Sequence, residues 1–383
     1  MAAWSKPRRR LDPVVANALV SVCRGGPWVR VDDPGAAHEL VEAARFHRVA
    51  PLLAVACRAE QPAIAEEVMR DRLRAITLHL HACEALAELS EVLGDIAWVT
   101  FKGPVFSEYA HPVAGLRSYN DVDVLVAPTD LREATDRLAG AGWQLADFQD
   151  MLRNPDVPGE MHWTSPRGVM VDLHWAMVNM ASRRRMFTVS SADLLRRRRP
   201  VRLGDHEIWT LDPIDTVVHA CLHAALSGAN KLVYLLDVDG VSRRVDDWHE
   251  VALRARSWGA QAQVALVLGR SRAVLGTTVP AAVEQDLAVP TSVRWLMRAT
   301  DRLAPVQAGR SSTGANKFVA RAVQPTGWGT AGALWGHGWR WAGGLGQSAP
   351  AAAGPRSAAD AEALEVYLAA VEAAAKRGDS PVR

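Results

Sequence analysis

The feature that most constrains this chain is a change of hydrophobic period. From Pro13 to about Gly94 apolar residues recur at helical spacing, as in Leu40, Val41, Ala44 and then Leu86, Leu89, Leu93. At Ile96 the pattern becomes a run of strand formers, Ile96-Ala97-Trp98-Val99-Thr100-Phe101, ending in Lys102-Gly103-Pro104. A chain that opens with a helical quarter and then turns to short strands is neither an all-β sandwich nor a simple bundle. The expected class is α+β: a small mixed sheet flanked by an N-terminal helical layer and a C-terminal helical domain.

Further strands are expected at Val122–Val126, around Glu160–Thr164 and at Val169–Trp175, the last two joined by the turn Ser165-Pro166-Arg167-Gly168. Between them Thr129 is placed to cap a helix that stops at Gly140 and Gly142. Asp212-Pro213 is a helix start, and another helix follows at Trp248–Trp258. Beyond about Gly309 glycine and alanine surround Trp328, Trp335, Trp339 and Trp341, and periodicity assigns no fold there. Residues 348–355 read as a linker and 358–376 as a closing helix. The expected units are 1–94 (helical), 95–205 (α/β core), 206–308 (helical) and 309–383 (tail with a terminal helix).

The 383 residues carry 44 Lys+Arg against 42 Asp+Glu, and 49% are hydrophobic. That balance excludes wholesale disorder and a protein that coats nucleic acid through a global basic field. Cys23, Cys57, Cys83 and Cys221 form no CxxC pair and read as buried thiols, as expected of a cytoplasmic protein. Arg8-Arg9-Arg10 precedes the apolar-leaning Val14–Cys23, but Asp12, Pro13 and Asn17 interrupt any export-signal pattern. No run of about 18 apolar residues occurs, so no membrane span is expected.

Chemistry concentrates in Gly115-Leu116-Arg117-Ser118-Tyr119-Asn120-Asp121-Val122-Asp123-Val124-Leu125-Val126. Asp121 and Asp123, two apart at a strand start, project from one face while Val122 and Val124 point to the other. Adjacent carboxylates repel, which a divalent cation relieves, and hard oxygen ligands suit Mg2+, with Mn2+ as the alternative. In Val169-Met170-Val171-Asp172-Leu173-His174-Trp175, alternation places Asp172 and His174 on one face. If that strand adjoins the first, Asp172 completes the site as metal ligand, as general base on an acceptor hydroxyl, or as both. Lys102 and Gly103, with Arg117 and Ser118, are the candidate phosphate contacts. His174 is a candidate to support the carboxylates by a hydrogen bond rather than as a direct ligand.

These residues resemble those of the uncharacterised nucleotidyltransferase family of the DNA polymerase β-like superfamily. The likeness rests on Phe101-Lys102-Gly103, Gly115-Leu116-Arg117, Asp121 through Val126, and Val171 through Trp175. His219-Ala220-Cys221-Leu222-His223 and Leu235-Leu236-Asp237 are similar to the family's helical half. The resemblance covers roughly residues 35–270. It implies that Asp121, Asp123 and Asp172 are the catalytic, metal-binding acids and that Lys102 and Gly103 form the lysine-glycine strand end. The superfamily's Gly-Ser phosphate loop is absent, and Lys102-Gly103 and Arg117-Ser118 stand in its place. The implied reaction moves a nucleoside monophosphate from a nucleoside triphosphate, ATP among the candidates, to a hydroxyl or phosphate acceptor with release of pyrophosphate. The acceptor class stays open: a small molecule, a protein side chain or an RNA end.

Rival readings use the same residues. A nucleotide hydrolase would deliver the group to water, and a non-catalytic nucleotide-sensing or interaction module would work through its helical ends and tryptophans. His219 and His223, at i,i+4 with Asp237 and Asp239 following, could in principle hold zinc, but a packing role is the expectation, since His219 lacks the neighbouring Glu of a zinc hydrolase. The eight arginines between Arg183 and Arg202 are either a surface paired with acids such as Asp205 and Glu207 or a guide for an anion. Trp163, Trp175 and Trp209 are expected in the core.

Overall fold

The computed structural model describes residues 10–310, 315–343 and 361–376. Seven strands form one sheet: β1 Trp98–Thr100, β2 Val122–Val126, β3 Gln144–Ala146, β4 Glu160–Thr164, β5 Met170–His174, β6 Arg199–Leu203 and β7 His206–Thr210. Their order is β3-β4-β5-β2-β1-β7-β6. β2 runs parallel to β5 and β1 parallel to β7, and the other neighbours are antiparallel, so the sheet is mixed. Helices lie on both the N-terminal and C-terminal sides, and the architecture is α+β.

The N-terminal helices are Pro13–Arg24, Pro34–Phe46, Ala50–Ala56, Pro62–Glu67 and Met69–Leu93. Two of them start by the same device, an aspartate cap ahead of proline: Asp12 accepts from the Val14 amide and Asp33 from the Ala36 amide. Met69–Leu93 buries Leu86, Leu89 and Leu93 and packs against β7 and the helix Leu131–Gly140. The stretch from Val14 to Cys23 is thus an ordinary packed helix; Arg8 and Arg9 fall outside the described residues.

Asp212 caps the helix Pro213–Ser227 through the Asp215 amide at 2.8 Å, as its sequence requires. That helix packs against Leu232–Ser242, Trp248–Ser257, Gln261–Leu275 and Ala315–Ala322. Thr129 does not cap its helix: Asp130 takes that position, and its side chain makes no capping bond. The β6–β7 hairpin spans the expected boundary at 205/206, because β7 is needed to flank β1. Where periodicity offered no assignment after Gly309, helices Ala315–Ala322 and Gly327–Gly343 occur, and the last helix is Ala361–Lys376. The linker expected at 348–355 lies outside the described residues.

All four cysteines are buried and unbridged, and burial pushes the Cys23 thiol up to about 12. Among the described residues no helix is long and apolar enough to cross a membrane.

Candidate active site

Register builds the site. Parallel pairing of β2 with β5 sets Asp123 beside Asp172 and Leu125 beside His174. Antiparallel pairing of β4 with β5 then sets His162 beside Asp172 and Glu160 beside His174. Directly paired residues share a face, so three strands converge their ionisable groups on one patch. Their apolar alternates Val122, Val124, Val171 and Leu173 are buried on the other face.

The patch floors a cavity of about 980 Å3 onto which Lys102, Asp121, Asp123, Glu160, Asp172 and His174 open. Lys102 Nζ lies 2.5 Å from Asp123 Oδ1, and His174 Nε2 lies 3.1 Å from the same oxygen. His174 Nδ1 is 3.3 Å from Glu160 Oε2, and His162 Nδ1 is 2.6 Å from Asp172 Oδ1. Gly103, at φ +34, lets the chain pass close: a Cβ there would stand 3.0 Å from the Asp121 carbonyl oxygen.

Charges in this patch bias one another. Burial alone would raise the Asp123 carboxyl, but the Lys102 ammonium and the His174 hydrogen bond outweigh it and hold the group far below the usual carboxylate range. Asp121 goes the other way, raised first by burial and then by repulsion from Asp123 and Asp172. His174, despite burial, is pushed up by Glu160 and Asp123.

Two donor sets have ligand atoms all within 4.8 Å of one another: Asp123, Asp172 and His174, and Glu160, His162 and Asp172. Neither includes Asp121, which joins them at the cavity wall. Oxygen donors with few nitrogens suit a hard divalent cation. The Lys102 ammonium already seated on Asp123 shows that the spot takes a cation, so the residues fit a metal.

The expected phosphate contacts divide. Lys102 is at the acids and Gly103 borders them, whereas Arg117 and Ser118 are not among the residues lining the acidic cavity. Arg117 is buried and donates from Nε and Nη2, each at 2.8 Å, to the two carboxylate oxygens of Asp237, with its guanidinium over the Phe106 ring. His111 Nε2 contacts the same carboxylate at 2.9 Å. Ser118 lines a separate pocket with Arg45, Arg48 and Arg74. The partner that claims Arg117 lies 120 positions away, beyond any local pattern.

Glu160 and His162 escaped the sequence reading. The signal was available: Glu160-Met161-His162-Trp163-Thr164 alternates polar with apolar, and its apolar positions are fully buried. Only the β4–β5 register shows that the polar face meets Asp172 and His174. The tail also contributes, since Arg321 and Gln324 reach the same cavity.

The two histidines on Pro213–Ser227 line the cavity too. They stack 6.0 Å apart, with the Phe101 ring edge-on to His219. Burial and the Lys102 charge hold His223 down at about 3 and His219 well below its ordinary value. The zinc alternative lacks its carboxylates: Asp237 is bound to Arg117, and Asp239 to Arg243 and Thr277. The arginine run is largely engaged. Arg196 pairs with Asp193, Arg197 with Asp215, Arg202 with Asp205, and Arg198 covers Trp209, which is itself exposed rather than in the core. Trp163 and Trp175 are buried.

The site is thus a mixed sheet that gathers carboxylates from parallel neighbours beside a lysine-glycine strand end. Residues 33–276 match the model of the family described as uncharacterised nucleotidyltransferase, and the chain belongs to that family. Comparison with curated proteins gives no match.

Proposed function

We propose that this protein is a metal-dependent nucleotidyltransferase that moves a nucleoside monophosphate from a nucleoside triphosphate to a hydroxyl or phosphate acceptor, releasing pyrophosphate, in the cytoplasm. The observation that carries this reading is the convergence of Asp121, Asp123 and Asp172 on one cavity with Lys102. Asp121, Asp123 and Asp172 hold a magnesium or manganese ion. When bound, that ion neutralises charge on the phosphate oxygens and orients them for in-line displacement.

The chain's own residues do the rest. His174 fixes the Asp123 carboxylate, and His162 orients Asp172, leaving its second oxygen to take the proton from an acceptor hydroxyl. The acceptor oxygen then bonds to the α-phosphorus while the bond to pyrophosphate breaks. Lys102, whose ammonium lies at the acids, would supply positive charge to phosphate oxygens, and Gly103 keeps the backbone close to the Asp121 carbonyl. Arg117 acts at one remove by anchoring the segment before Asp121 to the helical domain through Asp237. The cavity's size admits a nucleotide with part of an acceptor.

The test uses labelled nucleoside triphosphates with Mg2+ and a lysate as acceptor source, followed by mass spectrometry for molecules gaining a nucleoside monophosphate. Asp123→Asn should reduce turnover by about 10^3-fold or more, on the scale of losing one electrostatic stabiliser of the transition state. Unchanged turnover would end the assignment, and free monophosphate as the sole product would make the protein a hydrolase instead.

A further inference from the structure

The geometry points to a second ligand site: a phosphate-type oxyanion bound between Arg48 and Arg74, with the Ser118 hydroxyl and the Asn120 amide completing its donors. This inference stands apart from the transfer reaction and would hold whatever the acidic cavity does.

The pocket, about 180 Å3, lies where the turn after helix Pro34–Phe46, the start of helix Met69–Leu93 and the segment Ser118–Asn120 meet. Three arginines and one acid line it. Arg45 is fully engaged: it pairs with Glu42 at 3.1 Å and Asp71 at 3.2 Å and donates to the Glu67 carbonyl at 3.0 Å. Asp71, the only carboxylate among the described residues that line the pocket, is therefore spent on Arg45. Among the described residues no ion pair holds Arg48 or Arg74, so the pocket carries a surplus of two positive charges.

Arg48, at φ +59, is the left-handed residue that ends helix Pro34–Phe46: its amide donates to the Arg45 carbonyl at 3.1 Å and the Val49 amide to the Ala44 carbonyl at 2.8 Å, which fixes where its side chain leaves the turn. The neighbourhood is crowded with cations: burial and then the nearby Arg48 charge push the Lys231 ammonium down. Guanidinium groups with a hydroxyl and an amide offer only N–H and O–H donors to a tetrahedral oxyanion, whose oxygens accept several at once. The volume is too small for a nucleotide and sufficient for one phosphate group. The ligand is thus a free phosphate ion or the phosphate of a monoester whose body projects outward. Asn120 directly precedes Asp121, so an anion seated here would order the segment that presents the first acid of the neighbouring cavity.

The experiment is calorimetric titration of the full chain with inorganic phosphate, free of divalent metal, at constant ionic strength and neutral pH. Saturable binding is expected, weakened at least tenfold in Arg48→Ala/Arg74→Ala and retained in Asp123→Asn. Arg48→Lys/Arg74→Lys keeps the charge and guards against misfolding; it should weaken binding less than the alanine pair. The matched control Arg196→Ala/Arg202→Ala removes two exposed arginines elsewhere and should leave binding unchanged. Equal binding of phenyl phosphate identifies a monoester pocket, and preference for inorganic phosphate identifies a free-ion pocket. The proposal is overturned if wild type does not bind phosphate, if the lysine and alanine pairs both bind as wild type does, if the control pair weakens binding equally, or if Asp123→Asn abolishes it.

Discussion

Two buried cation–carboxylate assemblies draw residues from the segment between Lys102 and Asp123, and they differ in balance. At Asp237, one carboxylate accepts both arms of Arg117 and a bond from His111, whose own pKa is lowered, so the charges cancel. At Asp123, the Lys102 ammonium sits among four carboxylates, Asp121, Asp123, Glu160 and Asp172, on a cavity that Arg183 and Arg321 also line. The four carboxylates there outnumber the cavity's three fixed cations, Lys102, Arg183 and Arg321. A buried ion pair that closes on itself serves the fold. One left with surplus charge beside open space is a place where a further ion belongs.

The largest effect that would break this contrast lies at the balanced pair. Asp237→Ala leaves the Arg117 guanidinium buried without its carboxylate and should cost about 3–5 kcal/mol in urea unfolding. A loss under about 1 kcal/mol would mean that the clamp is not structural. At the unbalanced site the same kind of change should spare the fold and strike the ligand. Asp123→Asn is expected to weaken Mn2+ binding, followed by electron paramagnetic resonance, at least tenfold, or about 1.4 kcal/mol. Its urea midpoint should stay near wild type; collapse of the fold would place Asp123 with Asp237 instead.

A smaller effect is expected where the helix Ala361–Lys376 braces the start of β4 and the end of β5. Tyr367 Oη donates to the Pro158 carbonyl at 2.6 Å and accepts from Trp175 Nε1 at 2.9 Å. Tyr367→Phe should cost about 1 kcal/mol, the usual worth of such a bond, and modestly slow turnover through Glu160 and His162. An unchanged unfolding midpoint would show that Arg132, paired with Glu365 and Glu372, holds the helix unaided.

The smallest effect has opposite signs at the two assemblies. The Asp237 carboxyl is held down at about 2, so its contribution to stability is full above the unfolded-state value near 3.9 and is lost as pH falls toward about 2. Asp121 is raised, so its charged form weakens the metal-free fold, and protonation relieves that as pH falls through the raised pKa. Asp121→Asn should therefore raise the metal-free melting temperature slightly at pH 7, with the gain vanishing in acid. A lowered melting temperature at pH 7 without metal would contradict the proposed crowding of carboxylates.

These contrasts also mark what the sequence could reveal. β2 was legible to the residue, because Val122, Val124, Leu125 and Val126 make one short apolar run fixed by polar residues before it and Pro128 after it. Lys102, Asp121, Asp123 and Asp172 could be grouped because each sits at a strand end or on an alternating face, where local pattern determines direction. Arg117 could not be placed, since its fate depends on a helix 120 residues later. Glu160 and His162 needed a register that alternation alone does not supply. The helix Gly327–Gly343 was hidden for another reason: glycine disfavours helix, and its packing against Ala315–Ala322 and Thr291–Leu303 supplies what propensity withholds.

The brace at Tyr367 has a consequence for how the protein is made. The Pro158 carbonyl, two residues before Glu160, accepts from Tyr367 Oη across 209 positions of chain. On a ribosome, every strand of the sheet emerges well before the residue that secures the start of β4. A chain halted by a premature stop after the family-matched region would already possess its acids, yet the strand bearing Glu160 and His162 would lack its hold. The helix Ala361–Lys376 thus ties the acid-bearing strand to a segment far beyond the family-matched region.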